Sequence, residues 1–304
     1  MGGSGGGGGR SAADAASLAA DVRAQLEQQE RRAEVDRLLA EQLVGYNDRD
    51  HELVADRIDE IERSLEDVAE IDRTIFGGSV SKHTYVDGLS DVDALIVLNR
   101  EPSDNRSPAD LRAEFERELD ARIPRADVLS VKAGDLAVTV TYTDGQQVQI
   151  LPALQTSRGT SISSEDGQDW RRIDPGKFAK QLTKVNQDAG GGVVPAIKIA
   201  KSVVAEMPDG QRLKSYHVEA LAVAAFDSYS GHYSRSAMVE HLFRTAATNV
   251  RTPIADVSGQ SAEVDDYLGP SGSTPRQTMS RSLERMANRM RDGNAAQWRD
   301  LLGE

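Results

Sequence analysis

Phe76-Gly77-Gly78-Ser79 makes a glycine turn, and Leu89-Ser90-Asp91-Val92-Asp93 after it runs directly into the apolar block Ala94-Leu95-Ile96-Val97-Leu98. A short apolar block bounded by turn residues reads as a buried strand. Residues two apart on a strand share a face, so Asp91 and Asp93 set two carboxylates side by side at its start. Two anions that close are costly unless a cation neutralises them. Hard oxygen ligands of this kind suit Mg²⁺ or Mn²⁺, usually shared with substrate phosphates. A Gly-Gly-Ser turn lets backbone N–H groups and a hydroxyl approach a triphosphate closely. Either motif alone is commonly a cap or an exposed turn. In this order, and followed by a buried strand, they point to two-metal phosphoryl transfer: one metal activates an attacking hydroxyl, the other steadies pyrophosphate.

Downstream, Leu136–Thr143 and Gln146–Leu151 are β-rich runs around Asp144-Gly145, the dipeptide of a tight two-residue hairpin. Residues 108–122 read as a polar helix, and Ser157–Gln168, polar with a glycine, reads as a loop. After Pro175 the chain reads almost entirely as helix. Gly190-Gly191-Gly192 punctuates it, and Pro195 suits the first turn of a helix reaching about Glu206. Further helices are expected over Tyr216–Ser228, Ser234–Ala246 and Arg276–Arg291, the last two separated by the loop Ser258–Thr274.

Upstream, a helical pattern runs from Ala12 to Ile71, with Leu18, Val22, Leu26, Leu38, Leu39, Leu43, Leu53, Ile58, Ile61, Leu65, Val68 and Ile71 at helical spacings. Tyr46–Asp50 interrupts it, as a kink or as a join between two helices. Ala12–Glu41 suits a coiled-coil arm and suits packing on the body equally. Gly2–Gly9 cannot pack and reads as a flexible tail. The expected organisation is a tail over 1–11, a helical region over 12–72, a β-rich lobe over 73–165 and an α-helical lobe over 166–304, an α+β chain.

With 304 residues, 38% of them hydrophobic and 28% charged, the chain has enough apolar surface for a real core. Aromatics at 5% leave that core to aliphatic side chains. No cysteine is present, which removes disulfides, thiolate metal sites and cysteine nucleophiles together. A formal charge of -13 repels phosphate backbones, so general nucleic-acid binding is disfavoured while cations are readily recruited. No apolar run approaches the roughly 20 residues of a bilayer span, and Met1–Arg10 lacks the apolar segment of a signal peptide, so a cytoplasmic protein without membrane attachment is expected.

Gly78-Ser79 with Leu89–Asp93 and Ala94–Leu98 resembles the signature of the polymerase-β-type nucleotidyltransferase superfamily. Tyr142-Thr143-Asp144-Gly145 running into Val148-Gln149-Ile150-Leu151-Pro152-Ala153 resembles the later strand pair of bacterial cyclic-oligonucleotide synthases, the CD-NTase or SMODS group. Val194-Pro195-Ala196-Ile197-Lys198 and Ser215-Tyr216-His217-Val218-Glu219-Ala220-Leu221 resemble second-lobe helices of that group and of the 2′-5′ oligoadenylate synthetases. The resemblance covers residues 65–290. It implies a polymerase-β-like nucleotidyltransferase lobe with a mixed β-sheet, an α-helical second lobe and a long N-terminal helix. It also implies an enzyme joining ATP or GTP into cyclic di- or oligonucleotide messengers of antiphage defence. On this resemblance Asp91 and Asp93 hold Mg²⁺ or Mn²⁺, Gly78 and Ser79 cradle the triphosphate, and Lys198 and Lys201 face it across the cleft.

One position departs from the family pattern. The third metal-binding aspartate of the family falls on Gln149, whose amide contributes an oxygen but no charge. If Asp144-Gly145 is a two-residue loop, Gln149 lies opposite Val140; Asp135 then has the opposite parity and Asp144 sits at the distant turn, so neither replaces it. Gln149 is compatible with a single-metal or Mn²⁺-dependent enzyme, an enzyme completed by a partner, or a nucleotide-binding sensor or scaffold. A transferase acting on a protein, tRNA or small-molecule acceptor is the rival within enzymes, the tRNA case opposed by the acidic charge.

Among the remaining candidates, Lys198, Lys201 and Ser202 share one helix face, cleft-lining or simply solvated. Tyr216 suits a base-stacking aromatic and a half-buried core residue equally. Lys82 and His83 are phosphate contacts or a solvated loop. His217 reads as structural, since this chemistry needs no histidine and no second one lies close. Glu219 matches a family position without an assigned chemical role. Arg276, Arg281, Arg285, Arg289 and Arg291 read as a solvated helix face, Asp265-Asp266 as a surface turn, and the N-terminal helix as a site of self-association or partner binding.

Overall fold

A computed structural model describes residues 12–46, 51–68, 71–86, 91–99, 106–124, 126–156, 159–164, 167 and 169–304. The Gly2–Gly9 tail, Leu89-Ser90 and Asn47–Asp50 lie outside the described residues.

The apolar run after Asp93 is strand β2 (Val92–Asn99), which has a neighbour on each side. Strand β1 (Ile71–Phe76) pairs with it antiparallel and β5 (Gln147–Thr156) pairs with it parallel. Because both faces of β2 are covered, Val92 and Ala94 through Leu98 are all buried, and the sequence reads as a continuous apolar run instead of alternating. The first half of β5 pairs antiparallel with β4 (Val138–Tyr142), and β4 with β3 (Val128–Ala133). Its second half pairs with β6 (Gly159–Ser163), which pairs with β7 (Trp170–Arg172). The sheet is therefore mixed and the architecture α+β.

Two amphipathic helices cover one face of the sheet. Val54, Ile58, Ile61 and Leu65 of α2 (His51–Leu65) meet Leu111, Phe115 and Leu119 of α4 (Pro108–Arg122) over Val92, Ala94, Ile96 and Leu98. Helix α4 starts where its sequence dictates, with Ser107 and Asp110 forming a reciprocal capping box and proline in the first turn. The short helix α3 (Gly78–Ser81) lies between β1 and β2 in the chain.

A second core is built from α5 (Pro175–Asp188), α6 (Val193–Ala205), α7 (Ser215–Phe226), α8 (Arg235–Asn249), α9 (Thr274–Asp292) and α10 (Ala295–Leu302), with Ile197, Phe226, Phe243 and Trp298 at its centre. Val35, Leu38 and Leu39 near the end of α1 (Ala12–Gly45) join this core, whereas Val22 and Leu26 are exposed. Packing and projecting arm are thus both present in one helix.

Several expectations are corrected. Ile71 opens β1 instead of ending the helix, because α2 stops at Leu65. Within the expected loop Ser157–Gln168, β6 forms by pairing with β5, which buries Thr160 and Ile162. The hairpin loop has three residues: Tyr142 N–H donates to Gln146 O at 2.9 Å and Gly145 N–H to Tyr142 O at 3.0 Å, with Gly145 at φ +87. The register shifts by one, so Val140 pairs with Val148 and Gln149 with Thr139, not with Val140. Burial sets this register, since it places Val138, Val140 and Tyr142 on the same inward face as Val148 and Ile150. Asp265 and Arg276, expected at the surface, are fully buried against each other, with Nη1 2.6 Å from the carboxylate. Arg281, Arg285, Arg289 and Arg291 are exposed as expected.

Candidate active site

Asp91 and Asp93 stand at the N-terminal end of β2, and Gln149 of β5 is in register with Asp93. Gln149 Nε2 donates a hydrogen bond to Asp91 Oδ2 at 2.7 Å. Gln149, distant in sequence, therefore meets the aspartate pair across adjacent strands. Burial, and after it the Asp91 charge, push the Asp93 carboxyl up to about 6 against the opposing charge of Lys82. Burial also raises Asp91, partly offset by the Gln149 hydrogen bond.

The glycine turn packs directly on this pair. Gly77 N–H donates to Asp93 O at 2.8 Å. Gly78 has φ +50, and a Cβ built there would lie 1.5 Å from Asp93 Oδ2. Only glycine fits both the conformation and the space. Ser79 is buried, and its carbonyl accepts from Thr84 N–H at 2.9 Å.

Two carboxylates on one face, both held above the usual acid range, with a Cβ-free cradle against one of them, fit a divalent cation. Among the described residues no three His, Asp or Glu side chains gather to hold a metal. A cation at Asp91 and Asp93 would have to complete its shell with the Gln149 amide, phosphate oxygens or water. Asp144 is no substitute, because its carboxylate pairs with Arg57 at 2.9 Å. Asp135 shares the parity of Gln149 in the observed register, contrary to the two-residue-loop expectation. Its place in the exposed turn between β3 and β4 is what sets it apart.

The helical lobe meets this region through a buried polar cluster. Glu219 of α7, 1% exposed, receives Lys201 Nζ at 2.8 Å and the Thr84 hydroxyl on Oε1, and pairs with Lys82 through Oε2. Lys201 Nζ also donates to Thr84 O at 2.9 Å and lies 3.4 Å from Thr84 Oγ1. Lys201, expected to face a triphosphate, has an acceptor for each of its ammonium protons on Thr84 and Glu219. Lys82 is no solvated loop residue: its ammonium lies 4.8 Å from the Tyr216 ring centroid and 5.1 Å from that of Phe178. Burial drives the Glu219 carboxyl up, but Lys201 and Lys82 outweigh it and hold the group below its ordinary range. Lys198, one turn from Lys201, is buried, and its ammonium is lowered by that burial and then by Lys201. His83 is exposed with φ 58.

Tyr216 is half-buried. Its hydroxyl donates to Asp256 Oδ1 at 2.8 Å and its ring stands edge-on to Phe178 at 4.8 Å. These two contacts anchor the ring, and Lys82 lies close to it. His217 is structural, as expected. Nδ1 is 2.9 Å from the Tyr267 hydroxyl, Nε2 is 3.4 Å from Asp265, and burial pushes the imidazole down to about 4.

No family model matches the chain, and no curated protein matches it. Solved structures do. The CD-NTase CdnG of Bradyrhizobium diazoefficiens, solved with GTP, superposes at TM-score 0.64 with 16% identity, covering 88% of this chain and 98% of that one. CdnC of E. coli MS115-1, solved with ATP, gives TM-score 0.62 at 16% identity, covering 83% and 90%. A variant of the di-nucleotide cyclase DncV of Vibrio cholerae, solved with ATP and GTP, gives TM-score 0.62 at 11% identity, covering 97% and 92%. The chain has the polymerase-β-like fold of the CD-NTases.

Proposed function

We propose that this protein is a nucleotidyltransferase that joins nucleoside triphosphates, ATP or GTP, into a cyclic di- or oligonucleotide that acts as a messenger in antiphage defence. One observation carries the reading: Asp91 and Asp93 stand side by side at the start of β2 with Gly78 packed on Asp93, in a fold whose solved neighbours hold ATP and GTP. Asp91 and Asp93 would hold Mg²⁺ or Mn²⁺, which when bound neutralises phosphate charge and favours the ionised form of an attacking ribose hydroxyl. Gly78 and Ser79 take the triphosphate, Lys198 offsets its charge, and Tyr216 borders the base. Lys201 is left out of the nucleotide contacts and assigned to the Glu219 cluster. In this reading the sheet lobe (73–165) is catalytic and the helical lobe (166–304) closes the other side of the cleft. The exposed part of α1, with Val22 and Leu26 outward, offers a face to a protein partner or a second copy. No helix among the described residues is long and apolar enough to cross a membrane.

A second reading is favoured by Gln149. Its amide nitrogen, not a carboxylate, faces Asp91, which suits a protein that binds triphosphates without joining them. Incubation with labelled ATP, GTP, CTP and UTP in Mg²⁺ and in Mn²⁺, followed by phosphatase and chromatography, separates the two. A phosphatase-resistant product supports synthesis. Triphosphate binding with no product supports the sensor, and product appearing only in Gln149→Asp locates the defect at that position.

A further inference from the structure

The carboxylate of Glu219 is the meeting point of three chain segments. Lys82 and Thr84 come from the segment that follows α3, Lys201 from α6, and Glu219 itself from α7. Each of these side chains is at least nine-tenths buried, with side-chain exposures of 9% for Lys82, 4% for Lys201 and 1% for Glu219. The same segment is tied at its other end to the candidate site. Thr84 N–H donates to Ser79 O at 2.9 Å, and Gly77 N–H donates to Asp93 O at 2.8 Å. Between these ties lies Gly78, already in contact with the Asp93 carboxylate. A displacement of Lys82 and Thr84 therefore has a short, hydrogen-bonded route to the glycine turn and to Asp93.

We infer that Glu219 is a positioning residue for the nucleotide site: through Lys82 and Thr84 it fixes the segment Gly78–Thr84 against α6 and α7, and so fixes where the glycine turn meets Asp93. This rests on the reading of Gly78 and Ser79 as the triphosphate cradle. Glu219 touches neither Asp91 nor the cradle; its hold on the segment runs through Lys82 and Thr84, while its charge also reaches Asp93. The lysines outnumber the carboxylate in this cluster, so a charge effect on a bound polyanion is the competing account.

The two accounts separate in variants of the full-length protein. Glu219→Gln keeps the size of the side chain but leaves both ammonium groups without their carboxylate, and it is expected to lower the melting temperature. Adding Lys82→Met restores the cluster's original net charge and places a thioether between the Phe178 and Tyr216 rings, a favourable contact. The double variant is expected to recover the melting temperature but to lack the Lys82 half of the tie, the new amide oxygen at position 219 still accepting from Thr84. In it, hydrogen exchange of the peptide 77–86 should be about tenfold faster than in wild type, the equivalent of about 1.4 kcal/mol of local opening, with the β4 peptide unchanged. The Kd for MgATP should rise by about tenfold for the same loss. Exchange of 77–86 at the wild-type rate overturns the inference. So does wild-type affinity for MgATP in the double variant, which would show that charge alone matters. Wild type that binds no triphosphate refutes the functional reading instead; the exchange measurement, which needs no nucleotide, then decides by itself whether Glu219 holds the segment.

Discussion

Gly78→Ala puts the smallest possible side chain where the structure leaves no room. The new methyl carbon would stand 1.5 Å from Asp93 Oδ2, against about 3.5 Å for ordinary non-bonded contact. A gap of about 2 Å must therefore open, by swinging the Asp93 carboxylate or by lifting α3. Holding alanine at φ +50 adds about 1–2 kcal/mol. In a chain of this size that lowers the melting temperature by roughly 2–8 °C. The effect on the site is larger, because misplacement of a positioned group by about 1 Å can cost about 100-fold in turnover. The assay is nucleotide turnover beside a melting curve, with Mn²⁺ affinity read by electron paramagnetic resonance. Gly77→Ala is the control. Its Cβ meets Leu95 Cδ1 at 2.8 Å, the movable end of a flexible side chain, and its φ of -101 suits any residue. Turnover and Mn²⁺ affinity are expected to fall by about 100-fold in Gly78→Ala and by less than about threefold in Gly77→Ala. Wild-type Mn²⁺ affinity in Gly78→Ala would refute the placement of the glycine turn against a metal-binding Asp93.

Further expectations follow from the same geometry. Asp93 is raised from 3.8 to about 6, so the stability it contributes is fully present below 3.8 and lost as pH rises through about 6. Asp93→Asn should therefore be more stable than wild type at pH 8, by roughly 2–3 kcal/mol at most, with the difference vanishing toward pH 4 in urea titrations. Gln149→Asp should lower the melting temperature without divalent cation, by crowding a third anion beside Asp91 and Asp93, and should regain it in Mn²⁺. Arg276→Met leaves the buried Asp265 without its partner and should cost about 3–5 kcal/mol in urea unfolding, far more than Arg285→Met on the exposed face. Leu39→Ala, at a fully buried position of α1, should cost about 2–5 kcal/mol, whereas Leu26→Ala should cost less than about 0.5 kcal/mol.

The features that the sequence made legible are those that depend on near neighbours. Strand β2 announced itself because a strand covered on both faces carries an uninterrupted apolar run, and the Asp-x-Asp spacing fixes a shared face wherever a strand begins. Ser107, Pro108 and Asp110 marked the start of α4 by their own hydrogen-bonding chemistry. The three-residue hairpin follows from the buried alternation of its strands. Val138, Val140 and Tyr142 can share a buried face with Val148 and Ile150 only if Thr139 faces Gln149, and that alternation outweighs the preference of Asp-Gly for a two-residue loop.

What stayed hidden was set by partners distant in the chain. Ile71 continues the helical spacing of Val68, and only pairing with Leu98 turns it into a strand. Gly159–Ser163 is too polar to read as a strand until β5 is beside it. Arg276 has the same type and helical setting as Arg285, and differs only because Asp265 folds back onto it. The Glu219 cluster joins α7 to α6 and to the segment after α3, so no local pattern distinguishes Lys201, held inside it, from Lys198, one turn away.

The most direct test of the central claim is the binding of Mn²⁺ with a non-hydrolysable ATP analogue, followed by electron paramagnetic resonance in wild type and in the Asp91→Ala/Asp93→Ala double variant. Wild type should bind the ion and the analogue together, each tightening the other, and the double variant should leave the Mn²⁺ free in solution while melting no lower than wild type. Equal Mn²⁺–nucleotide binding in the two proteins would place the site elsewhere and contradict the account.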